Sequence, residues 1–313
     1  MLHVRVIAPA TMSEEVQKLL VADEAVTHLV VLPGVAVAPR GDLLEFDVVR
    51  EGASVLLDRL RDLELDRNGS IVVERVDAAL SASADRAARR TPGLGVDAVV
   101  WHEIEQQTGE ETELSASFLA FMVVATIIAA IGVLLDQPIL IVGSMVVGPE
   151  FGPLAALCVG LAQRKFHLVR RSLVALAVGF PVGMLVTVGA VWLLAAAGLV
   201  DRSMLLADRP LTDFIWRPDA LSWVVGFLGG IAGILSLTSA KAGTLVGVLI
   251  SVTTVPAAAN TAVALAFLVG SADPGRLLGE AAGSALQLVI NLTAIVVAGV
   301  LTLLVQQHAW RRR

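Results

Sequence analysis

An apolar run at residues 138–163 carries one acidic side chain, Glu150, within the sequence GPEFGP at residues 148–153. Proline removes a backbone donor and disrupts the helix before it. Backbone groups freed in this way survive inside a membrane only where protein or water satisfies them. The pattern therefore predicts a broken membrane span in which Glu150 faces a ligand, because carboxylates inside spans are costly and usually functional. The alternative is that Glu150 caps the half-helix that follows it, where the helix dipole favours a negative charge.

A second interruption lies in the apolar run at residues 243–270, around the sequence TTVP at residues 253–256. Secondary transporters with broken spans place their binding sites near the middle of the bilayer. We therefore expect the two interruptions to meet there. The predicted ligand-binding residues are Ser144, Gly148, Pro149, Glu150, Ser251, Thr253, Thr254, Pro256 and Asn260. The sequence predicts no catalytic residue, no metal site and no cofactor.

Six apolar segments are long enough to cross a bilayer, which takes about 20 residues. They lie at residues 115–135, 138–163, 168–199, 220–240, 243–270 and 279–307. A shift of 107 residues places Ser144 on Ser251 and Pro149 on Pro256. Each half then holds three spans, which is an odd number. The halves are therefore predicted to cross in opposite directions, as an inverted repeat.

The charges of the loops predict the orientation of the spans. Among the loops and the tail of the membrane segment, eight Lys and Arg residues lie on the side shared with the N-terminus, namely Arg164, Lys165, Arg170, Arg171, Lys241, Arg311, Arg312 and Arg313. Four lie on the opposite side, namely Arg202, Arg209, Arg217 and Arg276. An excess of Lys and Arg marks the cytoplasmic side, so both termini are expected in the cytoplasm. The start, MLHVRVIAPA, lacks a basic segment followed by an apolar one, and so predicts no cleavable signal.

The first 113 residues have the composition of a soluble protein, and the apolar excess follows them. The alternation of apolar and polar residues predicts a cytoplasmic domain at residues 1–80 with the order βαββαβ, the ferredoxin-like arrangement. An amphipathic connector at residues 81–113 and a six-span α-helical membrane domain at residues 114–308 complete the chain. The whole chain is 56% hydrophobic with a mean hydropathy of +0.78. Its net charge of −6 argues against nucleic acid as a partner, because nucleic-acid binders carry a clustered basic face.

The membrane segment resembles a known family in two stretches, LSASFLAFMVVATIIAAIGVLLDQPILIVGSMVVGPEFGPLAALCVGLAQ and GVLISVTTVPAAANTAVALA. That family is the bacterial membrane family called domain of unknown function 389, or the uncharacterised hydrophobic domain family. The resemblance covers about residues 115–305. It implies a polytopic membrane protein and no established substrate.

These observations favour a solute or ion transporter of the bacterial plasma membrane, with its site between the two broken spans. The soluble domain would regulate the transporter or assemble its subunits into a homo-oligomer. An ion channel that uses the same breaks as a constriction is one alternative. A membrane-anchored sensor or scaffold without transport is another. An enzyme is not predicted, because the sequence has neither an HExxH metal pair nor a GxSxG nucleophile. The expected partners are the lipid bilayer and a small solute or ion.

Overall fold

The computed structural model describes residues 1–76, 79–91, 100–238, 253–269, 271 and 273–311. Over these residues the chain forms two compact units. The first is built mainly from Met1–Gln106, and the second from residues 107–237 and 253–308. The predicted domain boundaries at residues 80 and 113 stay predictions.

The N-terminal unit is a four-stranded antiparallel sheet with helices. Its elements are β1 (Leu2–Ala8), α1 (Ala10–Ala22), β2 (Val26–Val37), β3 (Arg40–Val48), α2 (Arg50–Asp62), α3 (Leu65–Asn68), β4 (Ser70–Arg75) and α4 (Ala82–Arg90). The strand order is β2-β3-β1-β4, and β1 pairs antiparallel with both β3 and β4. This is the split βαβ arrangement that the sequence predicts.

Alternating side chains explain why this sheet buries one face. In β3, Leu44, Phe46 and Val48 are buried, and the residues between them point the other way, as the period of a strand requires. In α2, apolar side chains at helical spacing, among them Leu56 and Leu60, are buried in the same core.

The second unit consists of helices. They are α6 (Ala116–Leu134), α7 (Pro138–Val147), α8 (Phe151–Ala162), α9 (Phe166–Ala196), α10 (Arg202–Leu206), α11 (Ala220–Thr238), α12 (Thr254–Leu268) and α13 (Pro274–Arg311), and α5 (Trp101–Glu111) precedes them. Within the described residues, α6, α9, α11 and α13 are long and apolar enough to cross a membrane. The pair α7 and α8 makes a fifth candidate if it counts as one span. The predicted count of six is not reached over these residues, because the first part of the predicted fifth span lies outside them.

Small residues bring the long helices close together. Gly179 and Gly183 of α9 face Phe118, Met122 and Thr126 of α6. Gly226 and Gly230 of α11 lie against the α13 backbone and side chains at residues 291–298. Such contacts are typical of packing between membrane helices. They set the distances at which polar side chains of neighbouring helices can meet.

Candidate functional site: a buried polar column

The predicted break in the second span is present. Helices α7 and α8 are bent by 55° relative to each other, and residues 148–150 separate them. Each of α8 and α12 carries a proline at its third residue, Pro153 and Pro256 respectively. Proline is tolerated in the first turn of a helix because its missing N–H would have no intrahelical partner there. These prolines therefore favour the start of a new helix at each position.

Glu150 lies at this break and contacts the start of α12. Its side chain is buried, and its Oε1 accepts a hydrogen bond of 2.7 Å from Thr254 Oγ1. Its carboxylate makes no side-chain capping hydrogen bond to the first turn of α8, although its own backbone N–H interacts with the carboxylate. The choice between ligand binding and capping therefore stays a prediction. Its Oε2 is buried and has no hydrogen-bond partner among the described residues.

A chain of hydrogen bonds continues from the start of α12 onto α13. Asn291 Nδ2 donates to Thr253 Oγ1 at 2.9 Å, and Gln287 Nε2 donates to Asn291 Oδ1 at 3.1 Å. Gln287 Oε1 is buried and, within the described part of the chain, has no hydrogen-bond partner. Two buried oxygen acceptors without a donor, one on Glu150 and one on Gln287, therefore border this chain.

A second cluster centres on a buried ion pair. Arg209 Nη2 donates to Glu280 Oε1, and the two side chains are 5% and 3% exposed. Arg209 Nη1 donates to Asn260 Oδ1 at 3.3 Å. The amide of Asn260 donates in turn to Glu280 Oε1 at 3.2 Å and to Ser284 Oγ at 2.7 Å. Removing two charges from water is costly, and this network of hydrogen bonds offsets part of that cost.

One face of α13 joins the two clusters. Its buried polar residues Glu280, Ser284, Gln287 and Asn291 are spaced by four, three and four positions, which places them in one stripe along a helix. We call the complete set the polar column. It comprises Glu150, Arg209, Thr253, Thr254, Asn260, Glu280, Ser284, Gln287 and Asn291.

Residues 145–297 match the family model described as Domain of unknown function (DUF389). The resemblance inferred from the sequence is therefore confirmed, over just under half of the chain. The chain is also similar to the uncharacterized protein MJ0678 of Methanocaldococcus jannaschii, with 23% identity over 201 residues. That similarity covers 64% of this chain and 59% of the relative, so the chain spans about three fifths of that protein's length. No solved structure matches the chain significantly.

The structure brings together some of the predicted site residues. Glu150, Thr253 and Thr254 lie in the polar column at the break. Gly148 is next to them, and a side chain there would collide with the Glu150 carboxylate and with Val255. Their role in binding a ligand stays a prediction.

The remaining predicted residues are placed differently. Ser144 Oγ donates to Ile141 O at 2.6 Å within its own helix, so its hydroxyl is already satisfied. Pro149 is half-buried between the two helices, and Pro256 is buried inside α12. Asn260 belongs to the cluster around Arg209 rather than to the break. Ser251 lies outside the described residues.

The ion pair was not predicted from the sequence. Arg209 was counted among the loop charges of the opposite side, whereas its side chain is buried against Glu280. No role was predicted for Glu280, Ser284 and Gln287. Their spacing along the last apolar run was the available signal, because polar residues recurring every three or four positions form one helix face. Nothing local to Arg209 indicated that its loop reaches this face.

A different polar cluster lies in the N-terminal unit. His3 Nδ1 and His28 Nδ1 donate to the two carboxylate oxygens of Asp47 at 2.8 and 2.7 Å. His28 Nε2 is hydrogen-bonded to Ser81 Oγ at 2.7 Å and to Ser83 Oγ at 2.8 Å. Burial of Asp47 opposes its ionisation, but the hydrogen bonds from His28 and His3 outweigh burial and hold the pKa of Asp47 below its ordinary value.

The N-terminal unit also contains a cavity of about 360 Å³. It is lined by residues of α2, α3, β4 and α5, namely Leu57, Arg61, Asp66, Ile71, Val73, Glu105 and Gln106. A cavity of this size with an apolar wall and a few charged groups is typical of small-molecule sites.

Proposed function

We propose that this protein is a membrane transporter for a small solute or ion, with its site at the break beside Glu150 and a route along the polar column. The observation that carries the proposal is the burial of two carboxylates and one guanidinium inside a unit made of apolar helices. Helices that serve only as an anchor gain nothing from such groups, because buried charges are expensive. Buried polar atoms without a partner add to this cost.

The arrangement of the helices supports an inverted repeat of six spans. A shift of 107 residues moves α6 from 116–134 to 223–241, close to α11 at Ala220–Thr238. The same shift moves α8 to 258–269 and α9 to 273–303, close to α12 and α13. The first and third helices of each half also pack through glycine contacts. Three spans per half would reverse the direction of the second half, as in many secondary transporters.

We place the protein in a bacterial plasma membrane with both termini in the cytoplasm. The excess of Lys and Arg in the predicted cytoplasmic loops supports this orientation. We further propose that the protein is not an enzyme and binds no nucleic acid.

The N-terminal domain is proposed to regulate transport or to assemble subunits into a homo-oligomer. Its cavity supports ligand sensing. Its edge strand β2 supports assembly, because Val30, Leu32, Val35 and Val37 of this strand are exposed. An exposed apolar edge strand readily pairs with another chain.

The test is transport by the purified protein in proteoliposomes. Rapid solution exchange on a solid-supported membrane, with one amino acid, organic acid, sugar or inorganic ion at a time, should give a saturable transient current. The Glu150→Gln variant should abolish this current, whereas Thr261→Val should keep it, because the Thr261 hydroxyl is bonded to its own helix at Ala257 O. Correctly folded wild-type protein that gives no current with any of these solutes would contradict transport. Continuous unitary currents in a planar bilayer would instead identify a channel.

A further inference from the structure

The charge at the break is not balanced by the described residues. The Glu150 carboxylate receives hydrogen bonds only from neutral groups, namely the hydroxyl of Thr254 and its own backbone N–H, and no ion pair to it is found within the described part of the chain. An isolated ionised carboxylate in an apolar interior is very costly, so it is neutralised either by a proton or by a bound counter-charge. A bound counter-charge would have to come from outside this set of residues.

The helix ends at the break supply only part of that charge. The first turns of α8 and α12 and the last turn of α7 meet here. Each helix start contributes about half a positive charge and each helix end about half a negative charge. Two starts and one end sum to about half a positive charge, which leaves about half of the carboxylate charge uncompensated. One further positive charge, rather than two, fits this deficit.

The polar groups around the break are mainly oxygen acceptors. Glu150 Oε2 and Gln287 Oε1 are both buried and without a donor. The hydroxyl of Thr254 is hydrogen-bonded to Glu150. The hydroxyl oxygen of Thr253, the preceding residue in the chain, accepts from Asn291. In the last turn of α7, Ser144 O accepts from Gly148 N at 3.0 Å. The carbonyl groups of residues 145–147 have no partner within that helix and end at the same place. Carboxylate, amide, hydroxyl and carbonyl oxygens are the ligands of hard cations.

We propose that a monovalent alkali cation of the sodium type binds at the break, held by Glu150 and Gln287 with the hydroxyls of Thr253 and Thr254. The cation neutralises Glu150 and gives its free Oε2 a partner, and Gln287 Oε1 is the other buried oxygen without a donor that is available as a ligand. A divalent cation fits less well, because its sites generally use several carboxylates. This inference rests on the proposed function, in which the bound cation is the coupling ion, but binding itself requires no transport.

The test measures binding without flux. The full-length protein in detergent is heated in choline chloride and in mixtures with sodium, potassium or lithium chloride at constant ionic strength and fixed pH. Because a ligand of the folded state raises apparent stability by mass action, sodium should raise the unfolding temperature in a saturable way. Glu150→Gln should abolish the response. Gln287→Leu and Thr254→Val should each weaken the apparent affinity about tenfold.

Two controls distinguish a loss of sodium binding from a variant that simply fails to fold. In choline alone, Glu150→Gln should unfold at the same or a higher temperature than the wild type, because it removes a buried charge without changing the shape of the side chain. Thr261→Val is the matched control for Thr254→Val on the same helix, and it should keep the full sodium response. The proposal is overturned if no alkali cation differs from choline, if the response persists in Glu150→Gln, or if stability depends on pH alone. A sodium response without any flux would instead reject transport and keep the cation site.

Discussion

Asp47 in the N-terminal unit and Glu280 in the helical unit are both carboxylates held by two side chains, but their surroundings differ. Asp47 is 16% exposed and its two histidine partners are 37% exposed, whereas Glu280 and Arg209 are almost completely buried. Water can solvate the polar atoms of Asp47 and its histidines that lack a partner in the protein. The second pair has only its own network, so the loss of one member leaves the other buried and uncompensated. The comparison teaches that removing one partner alone should cost far more stability in the buried pair than in the partly exposed one.

The largest change in stability is expected from breaking the buried pair of Arg209 and Glu280. Arg209→Met leaves Glu280 buried without its cation, which should lower the free energy of unfolding by about 3–5 kcal/mol. Chemical unfolding in detergent micelles measures this change. The double variant Arg209→Met/Glu280→Leu should recover most of the loss, because an apolar pair of similar volume is often as stable as a buried ion pair.

A matched arginine gives the control. The exposed guanidinium of Arg276 donates to Leu206 O, so Arg276→Gln should change the free energy of unfolding by only about 0.5 kcal/mol, as usual for a surface substitution. If Arg209→Met is as mild as Arg276→Gln, the contrast between buried and exposed pairs is lost.

A moderate effect with a pH dependence is expected at Asp47. The folded pKa of Asp47 lies below its ordinary value, which is about 3.9 in an unfolded chain. Its contribution to stability is therefore present above that pH and is lost as the pH falls through the folded pKa. Asp47→Asn should cost about 1–2 kcal/mol near neutral pH and make unfolding less sensitive to acid.

This prediction can be measured on residues 1–106, since the N-terminal unit has its own hydrophobic core. Circular dichroism follows thermal unfolding of the sheet across a series of acidic pH values. Equal acid sensitivity of wild type and Asp47→Asn would show that the hydrogen bonds to His3 and His28 do not stabilise the ionised carboxylate.

The smallest effect is expected at a fully solvated pair. Lys18 Nζ and Glu14 Oε1 are 2.7 Å apart on the surface of α1, and both side chains are largely exposed. Glu14→Gln should change stability by no more than about 0.5 kcal/mol, because water and salt screen exposed pairs. Thermal unfolding of residues 1–106 at low and high salt measures it. A loss as large as that of Asp47→Asn would mean that exposure does not rank these pairs.

The features that could be predicted from the sequence are those set by residues close together in the chain. The break at GPEFGP is a property of adjacent prolines and glycines, and the bend between α7 and α8 confirms it. The alternation of Leu44, Phe46 and Val48 likewise predicts a strand with one buried face. The environment of Arg209 could not be predicted in this way. Its loop resembles any polar connection until the partner on α13 is known.

The sequence by itself determined which segments are apolar, where the second span breaks and which strands alternate, because each depends on residues close together in the chain. Only the tertiary structure decided which polar groups meet. Thr254 reaches Glu150 across 104 residues, and Arg209 reaches Glu280 across 71. Such hydrogen bonds require helix separations correct to a fraction of an ångström. Those separations are set by distant small-residue contacts, such as that of Gly230 with Ile295 and Ala298, which no local pattern encodes.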